Sequence, residues 1–203
     1  MTASVLLAQD EPANAVLDAD YQLLTRRSYG PSRESDLAIL TDGTWRGGYW
    51  TRDNTLSWRV GPGATAEVLI DLGEVEAISG VSLASVHGRA AHPPRVTVRV
   101  GESMDRLHEV TSWDAGEGLP IAPDGYDTLV SRSPEFRAAG RYVLFTMTQP
   151  PERPGGSPRS GLICVTELMV HAGDFDAAAV EMTGDPLALR AYMEAQDLSL
   201  IHI

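Results

Sequence analysis

The feature that most constrains the fold is an alternation of apolar and polar residues that begins near residue 64. Every second residue of ATAEVLIDL (64–72) is apolar, so Val68 and Ile70 share one face while Glu67 lies on the other. A period of two is that of a β-strand, in which successive side chains point to opposite faces. The segment therefore predicts a strand with one buried face and one solvated face.

The same pattern recurs along most of the chain. Further runs rich in β-branched and apolar residues lie at 80–86, 95–100, 141–149 and 161–170, with a weaker one at 106–113. The segments between them are rich in Gly and Pro and contain no amphipathic helix. Short strands joined in this way predict an all-β fold, an antiparallel β-sandwich of the jelly-roll type, rather than a parallel α/β sheet.

The two ends of the chain differ from this central region. Residues 1–38 have no sustained period, and we expect at most one edge strand there. Near the other end, Asp185 is a candidate N-cap, Pro186 fits the first helical position, and apolar residues follow at helical spacing, which predicts a helix over 186–197. We therefore expect a lead-in at 1–20, one module at 21–173, and a linker and helix at 174–203 that leads to a further domain.

Charge and hydropathy exclude several classes of partner. The chain has 28 acidic and 16 basic residues, a formal charge of -12, and no cluster of Lys and Arg. Nucleic acids and anionic membrane surfaces would be repelled by such a chain. No apolar run reaches the length of a membrane span, and no signal peptide is visible at the N-terminus, so the sequence leaves the location of the protein open.

Five segments in order resemble a known family. LTDGTW, VLIDLGEVEAISGVSL, PPRVTVRVGESMDRLHEV, AAGRYVLFTM and CVTELMVHAG follow one another as in the discoidin family of coagulation-factor type C modules, which have a galactose-binding-like jelly-roll fold. The resemblance covers 21–173 and extends to the N-terminal module of large bacterial proteins with glycoside-hydrolase-like domains. It implies sugar binding without catalysis, in an accessory module of a larger, extracellular or periplasmic, glycan-active protein.

An aromatic segment, ILTDGTWRGGYWTRDNTLSW (39–58), supplies the first candidate binding residues. Tyr49 and Trp50 lie among Gly, Thr and Arg residues, where little core is available to them. A flat aromatic face can stack on the C–H groups of a pyranose ring. We predict that Tyr49 and Trp50 bind sugar. Trp45 is either a third stacking residue or part of the core, and Trp58, which leads into a strand, is expected in the core.

The segment VHGRAAHPPR (86–95) supplies the hydrogen-bond donors. It joins two predicted strands, and in the resembling family such loops form the ligand face. Histidine and arginine donate to sugar hydroxyls, and arginine offers a planar fork of donors. We assign this role to His87 and Arg89. His92 and Arg95 are expected to be solvated loop residues that set an extended entry into the next strand.

A pair of carboxylates is the candidate metal site. Glu167 points to the same face of its strand as the apolar residues at alternate positions, so its carboxylate needs a partner if that face is buried. Asp42 lies in a turn whose carbonyls, with the two carboxylates, could form an all-oxygen calcium site, and the resembling family implies such a structural ion. The short loop after LTDG lacks the D-x-x-T-x-W form of calcium-binding members. The alternative is that Glu167 pairs with an arginine or with turn amides.

The sequence contains no recognisable catalytic constellation. It has no G-x-S-x-G nucleophile motif and no phosphate-binding glycine loop before a helix. We expect no catalytic residues. Three functions stay open at this point: a carbohydrate-binding accessory module, a structural spacer that packs on an adjacent catalytic domain, and a part of a glycoside hydrolase that is active only at full length.

Overall fold

The structure, a computed structural model, describes residues 14–28, 39–44, 55–88, 91–119, 125–149, 161–195 and 201–202. It is built almost entirely from antiparallel strands. The strands are β1 (Asp20–Leu23), β2 (Leu56–Arg59), β3 (Thr65–Gly88), β4 (Arg95–Gly101), β5 (His108–Asp114), β6 (Tyr126–Arg132), β7 (Ala138–Thr148), β8 (Leu162–Ala172) and β9 (Ile201–His202). A 3-10 turn spans Ala177–Ala179, and the helix α1 spans Leu189–Ala195.

The strands form two layers that share β3. In the front layer the order is β9-β1-β3-β7-β4-β5, and the first half of β3 takes part. In the back layer the order is β2-β8-β3-β6, and the second half of β3 takes part. All of these pairings are antiparallel. The predicted antiparallel β-sandwich of the jelly-roll type is therefore confirmed.

The passage of β3 from one layer to the other is the main departure from the predicted strands. The runs 64–72 and 80–86 were expected to be two strands separated by a turn, but they belong to one strand of 24 residues. Its register against β7 shifts between Asp71 and Glu76, and Gly73 has a φ of 82°. Glycine tolerates this left-handed conformation, so the strand bends there without ending.

The core lies between the two layers. The inward alternation predicted from the sequence is confirmed, because the apolar residues of both layers belong to one buried cluster. From the front layer it contains Val68, Ile70, Val96, Val98, Phe145 and Met147, and from the back layer Trp58, Leu83, Ile163, Val165, Leu168 and Val170. Trp58 is fully buried, as expected, and its indole Nε1 donates to the Thr25 carbonyl at 2.9 Å.

The outer face of the front layer is covered in part, whereas the sequence predicted a solvated face. Leu69 and Leu144 of this face pack against Leu189 and Met193 of α1. Glu67, expected in solvent, is 1% exposed. The prediction was wrong here because the covering segment lies more than a hundred residues away in the sequence, and local periodicity carries no information about it.

The helix begins later than predicted. Leu187 exchanges backbone hydrogen bonds with Leu107 at 2.7 and 3.0 Å, which keeps the chain extended at that point. The helical turns therefore start at Leu189 instead of Pro186 and run to Ala195. His108 adds a further attachment, because its ring Nδ1 lies 3.1 Å from the Gly184 carbonyl oxygen. No helix among the described residues is long and apolar enough to cross a membrane.

Candidate functional site

One end of the sandwich, which we call the loop end, carries the described residues of the predicted ligand-binding segment 86–95. Here β3 ends at Gly88, β4 begins at Arg95, β6 begins at Tyr126 and β8 begins at Leu162. The segment between β3 and β4 connects the two layers at this end, since Ala91 bridges to Leu162 at the start of β8 and the Pro94 carbonyl accepts the Ala115 N–H at 3.0 Å beside the end of β5. The loop end is therefore a single surface to which both layers contribute.

Two histidines of the segment 86–95 lie together at the loop end. The ring centroids of His87 and His92 are 5.3 Å apart, in an edge-to-face arrangement. His87 lies inside β3 opposite Asp127 and is 3% exposed, while His92 is half-buried. Of the two rings, His92 is thus the more accessible to a ligand, although the sequence favoured His87.

An aromatic residue that the sequence analysis did not single out also lies at the loop end. Tyr126 is half-buried and packs against the cluster formed by Val86, Ala91, Leu162 and Cys164. A Cβ at Gly88 would overlap the Tyr126 ring, so the glycine allows the ring to lie against the end of β3. The signal in the sequence was an aromatic residue directly after the Asp-Gly dipeptide at 124–125, a pair typical of hairpin turns.

Several predicted binding residues fall outside the part of the chain that the structure describes. These residues are Trp45, Tyr49, Trp50 and Arg89. Their assignment to sugar binding stays a prediction from the sequence.

The two carboxylates of the predicted metal site lie next to each other. Glu167 is fully buried in the middle of β8, and its Oε1 accepts the Gly43 N–H at 3.0 Å. In the same turn, the Thr44 N–H donates to Asp42 Oδ1 at 2.8 Å. Gly43 has a φ of 74°, and a Cβ there would lie 2.8 Å from Leu17 Cδ1. Glycine at position 43 allows this left-handed backbone conformation and the close approach of the Leu17 side chain. This contact is the turn-amide partner that the sequence offered as one alternative.

The environment of Glu167 is unfavourable to a negative charge. Burial and the neighbouring Asp42 carboxylate raise the pKa of Glu167 to about 8. Its Oε2 is buried and has no hydrogen-bond partner among the described residues. A calcium ion held by Asp42 and Glu167 would satisfy this oxygen and would favour the ionised form.

The residues present therefore fit a calcium ion, with one restriction on its ligands. Within the described ranges, no three side chains of His, Cys, Asp or Glu cluster in a way that would hold a metal. Calcium accepts six to eight oxygen ligands and takes carbonyls and water readily. The remaining ligands would be backbone carbonyls and water, and the charge would come from Asp42 and Glu167.

No family model matches the chain, and no curated protein matches it. Among solved structures, the chain is similar to chitosan-binding module 1 of a chitosanase/glucanase from Paenibacillus sp. IK-5, with 14% identity and a TM-score of 0.47, over 79% of this chain and 99% of that one. It is also similar to the module CpGH89CBM32-4 of Clostridium perfringens, in complex with GlcNAc-α-1,4-galactose, with 16% identity and a TM-score of 0.49, over 84% and 100% of the two chains.

A third similar structure is CBM32-3 from a family 31 glycoside hydrolase of Clostridium perfringens, with 12% identity and a TM-score of 0.48, over 80% of this chain and 95% of that one. With TM-scores below 0.5, none of these three structures defines a ligand for this chain. The fold of this chain is defined by the pairing of its own strands.

Proposed function

We propose that the chain is a non-catalytic carbohydrate-binding module that serves a larger glycan-active protein. The observation that carries the proposal is that His92 and Tyr126 both lie at the loop end, where His92 contacts His87 and Tyr126 packs against the cluster that contains Ala91. Tyr126 provides an aromatic face, and a histidine ring can exchange hydrogen bonds with sugar hydroxyls. The ordered segments that resemble the discoidin family support the same function.

The remaining contacts would come from the residues that the sequence predicts to bind sugar. Tyr49 and Trp50 would stack on a sugar ring, with Trp45 as a further aromatic residue, and Arg89 would donate hydrogen bonds beside His87 and His92. One shallow stacking site gives affinities in the micromolar to millimolar range, so we expect strong binding only where several modules act together.

A glycan array probed with the full chain, followed by calorimetry on the best ligand, tests this proposal. Trp50→Ala should weaken binding at least about tenfold, whereas Trp50→Phe keeps an aromatic face and should retain most of the affinity. Tyr126→Leu keeps the buried apolar contact but removes the flat ring and the hydroxyl, and it should also weaken binding. A folded sample that binds no glycan would overturn the proposal.

A structural spacer without a ligand is the second candidate, and the burial of His87 favours it. A residue that is 3% exposed offers little surface to a ligand, and its position inside β3 suits a packing role. A spacer predicts that Trp50→Ala leaves calorimetric titrations unchanged, with no glycan bound by either protein.

We also propose that calcium is a structural ion at Asp42 and Glu167. There it would tie the turn at residues 41–44 to the middle of β8. The buried Oε2 of Glu167 supports this assignment.

A further inference from the structure

A cavity of about 470 Å³ opens at the end of the sandwich opposite the loop end. Its walls come from residues 79–81 of β3, from Arg132 at the end of β6, from Ser133 and residues 135–137 before β7, and from His171 and Phe175. The sheet brings these segments together because Gly80 pairs with His171 and Ser82 pairs with Arg132. A cavity of this volume falls within the range of small-molecule sites.

The charge of the cavity differs in sign from that of the chain. Arg132, Arg137 and Glu135 line it, and two positive charges with one negative charge give a local net charge of +1. The whole chain carries -12. Guanidinium groups bind carboxylates through paired, charge-assisted hydrogen bonds. Because Glu135 is also present, the lining is better suited to a ligand with one negative charge than to a ligand with two negative charges.

One of the arginines is held in place by an aromatic ring. The guanidinium carbon of Arg137 lies 4.3 Å from the centroid of the Phe175 ring. This cation–π contact restricts the arginine before any ligand arrives. A Cβ at Gly173 would overlap the Phe175 ring, so the glycine permits the position of the ring. Phe136 and Phe175 are half-buried and give the cavity two apolar walls.

The polar groups of the cavity floor are also fixed. His171 Nε2 and Ser82 Oγ are 2.7 Å apart, and this bond sets the orientation of the histidine ring. Ser133 Oγ accepts the Val81 N–H at 3.2 Å. Because that bond uses only a lone pair of Ser133, its hydroxyl hydrogen can still be donated to a ligand oxygen.

We propose that this cavity binds a small monocarboxylate whose carbon skeleton is about the size of a single ring. The carboxylate would lie against Arg137 and Arg132, and the skeleton against Phe136 and Phe175. This site is separate from the proposed glycan surface at the loop end. The carboxylate could belong to an acidic sugar or to the C-terminal residue of a peptide, and the same experiment distinguishes these two sources.

The test is a titration of the full 203-residue chain, monitored by the amide signals in NMR spectra. Sodium glucuronate, N-acetylphenylalanine, glucose and inorganic phosphate are added in separate experiments. At least one carboxylate should shift the amide signals of Gly80, Val81 and Ser133, and glucose should not. A response to glucuronate alone assigns an acidic sugar, and a response to N-acetylphenylalanine alone assigns a peptide terminus. A response to both supports the carboxylate chemistry that they share.

Two outcomes of the titration would overturn the proposal. The first is the absence of any shift at these amides with either carboxylate. The second is an equal response to glucose or to phosphate, because the cavity would then not select for a carboxylate.

Variants test the roles of individual residues. Arg137→Gln should weaken carboxylate binding about tenfold or more, and Phe175→Leu should weaken it by removing the ring beneath the guanidinium group. Arg106→Gln is the matched control, because Arg106 is exposed and lies outside the cavity lining. Unchanged affinity in folded Arg137→Gln would contradict the assignment. Binding of neutral glycans should not change in Arg137→Gln, so this proposal and the glycan proposal can fail independently.

Discussion

The Tyr192 hydroxyl donates a hydrogen bond to Glu67 Oε1 at 3.0 Å. This bond joins α1 to β3 across 125 residues of sequence. Thr146 of the neighbouring strand β7 donates to the same carboxylate oxygen at 3.2 Å. Leu189 and Met193 of α1 are buried on the same face of the sheet. The helix α1 therefore covers part of the outer face of the front layer, and the buried Glu67 carboxylate lies beneath it.

Removing the hydroxyl should loosen this attachment. Tyr192→Phe keeps the ring but leaves Glu67 with Thr146 as its hydroxyl donor, and we expect the free energy of unfolding to fall by about 1 to 2 kcal/mol. Urea unfolding followed by circular dichroism measures the change. Glu194→Gln, an exposed substitution on the same helix, should leave stability within about 0.5 kcal/mol. Equal stability of Tyr192→Phe and wild type would show that the bond contributes nothing.

Glu67 should make stability depend on pH. Burial raises its pKa above the ordinary value of 4.5, although the bonds from Tyr192 and Thr146 and the charge of Arg99 act in the opposite direction. The folded state then binds more protons than the unfolded state, so this group lowers the free energy of unfolding as pH rises from 4.5 through the raised pKa. The slope for one proton is at most about 1.4 kcal/mol per pH unit.

The variant Glu67→Gln isolates this contribution. Glutamine keeps an acceptor for Tyr192 and Thr146 and does not titrate. The difference in free energy of unfolding between the variant and wild type should grow in favour of the variant as pH rises above 4.5. A difference that stays constant from pH 4 to pH 8 would contradict the prediction.

The residues that were predicted well share one physical property, which is burial between the two layers. Val68, Ile70, Val96 and Val98 alternate with polar residues because only one of their faces meets the opposite layer. Such a pattern is local, and it can be recognised without knowing which strands pair. Trp58 was placed in the core for a similar reason, since a large aromatic residue that leads into a strand is usually buried.

The features that were missed depend on partners distant in the sequence or on weak local signals. Glu67 lies on the strand face whose side chains are expected in solvent, and it is buried because α1 packs on that face. Strand β6 was missed because its burial is partial along its length, as expected for the edge of a layer, so its apolar residues show no alternation. His87 was placed in a loop because Gly and Pro follow it, but pairing with Asp127 extends β3 to Gly88.

The turn at Gly43 allows two sources of strain to be separated. Gly43 and Gly63 have φ values of 74° and 77°, so alanine is strained at both positions, at a cost of about 1 kcal/mol. At Gly43 the new Cβ would also lie 2.8 Å from Leu17 Cδ1, whereas nothing lies within 4 Å at Gly63. Gly43→Ala should therefore be more destabilising than Gly63→Ala in thermal or urea unfolding. Equal losses would show that the turn moves away from Leu17 without cost.

Calcium should stabilise the protein through Glu167. A ligand that binds only the folded state adds about 2.7 kcal/mol at a hundredfold excess over its Kd, so calcium should raise the Tm of wild type and chelation should reverse the effect. Glu167→Gln keeps an acceptor for the Gly43 N–H but lacks the charge, and calcium should not raise its Tm. Glu67→Gln is the matched control and should keep the calcium response, because Glu67 belongs to the cluster beneath α1.

If calcium leaves the Tm of wild type unchanged, Glu167 is held by the turn amides alone. If it raises the Tm of wild type and of Glu167→Gln equally, the ion binds elsewhere.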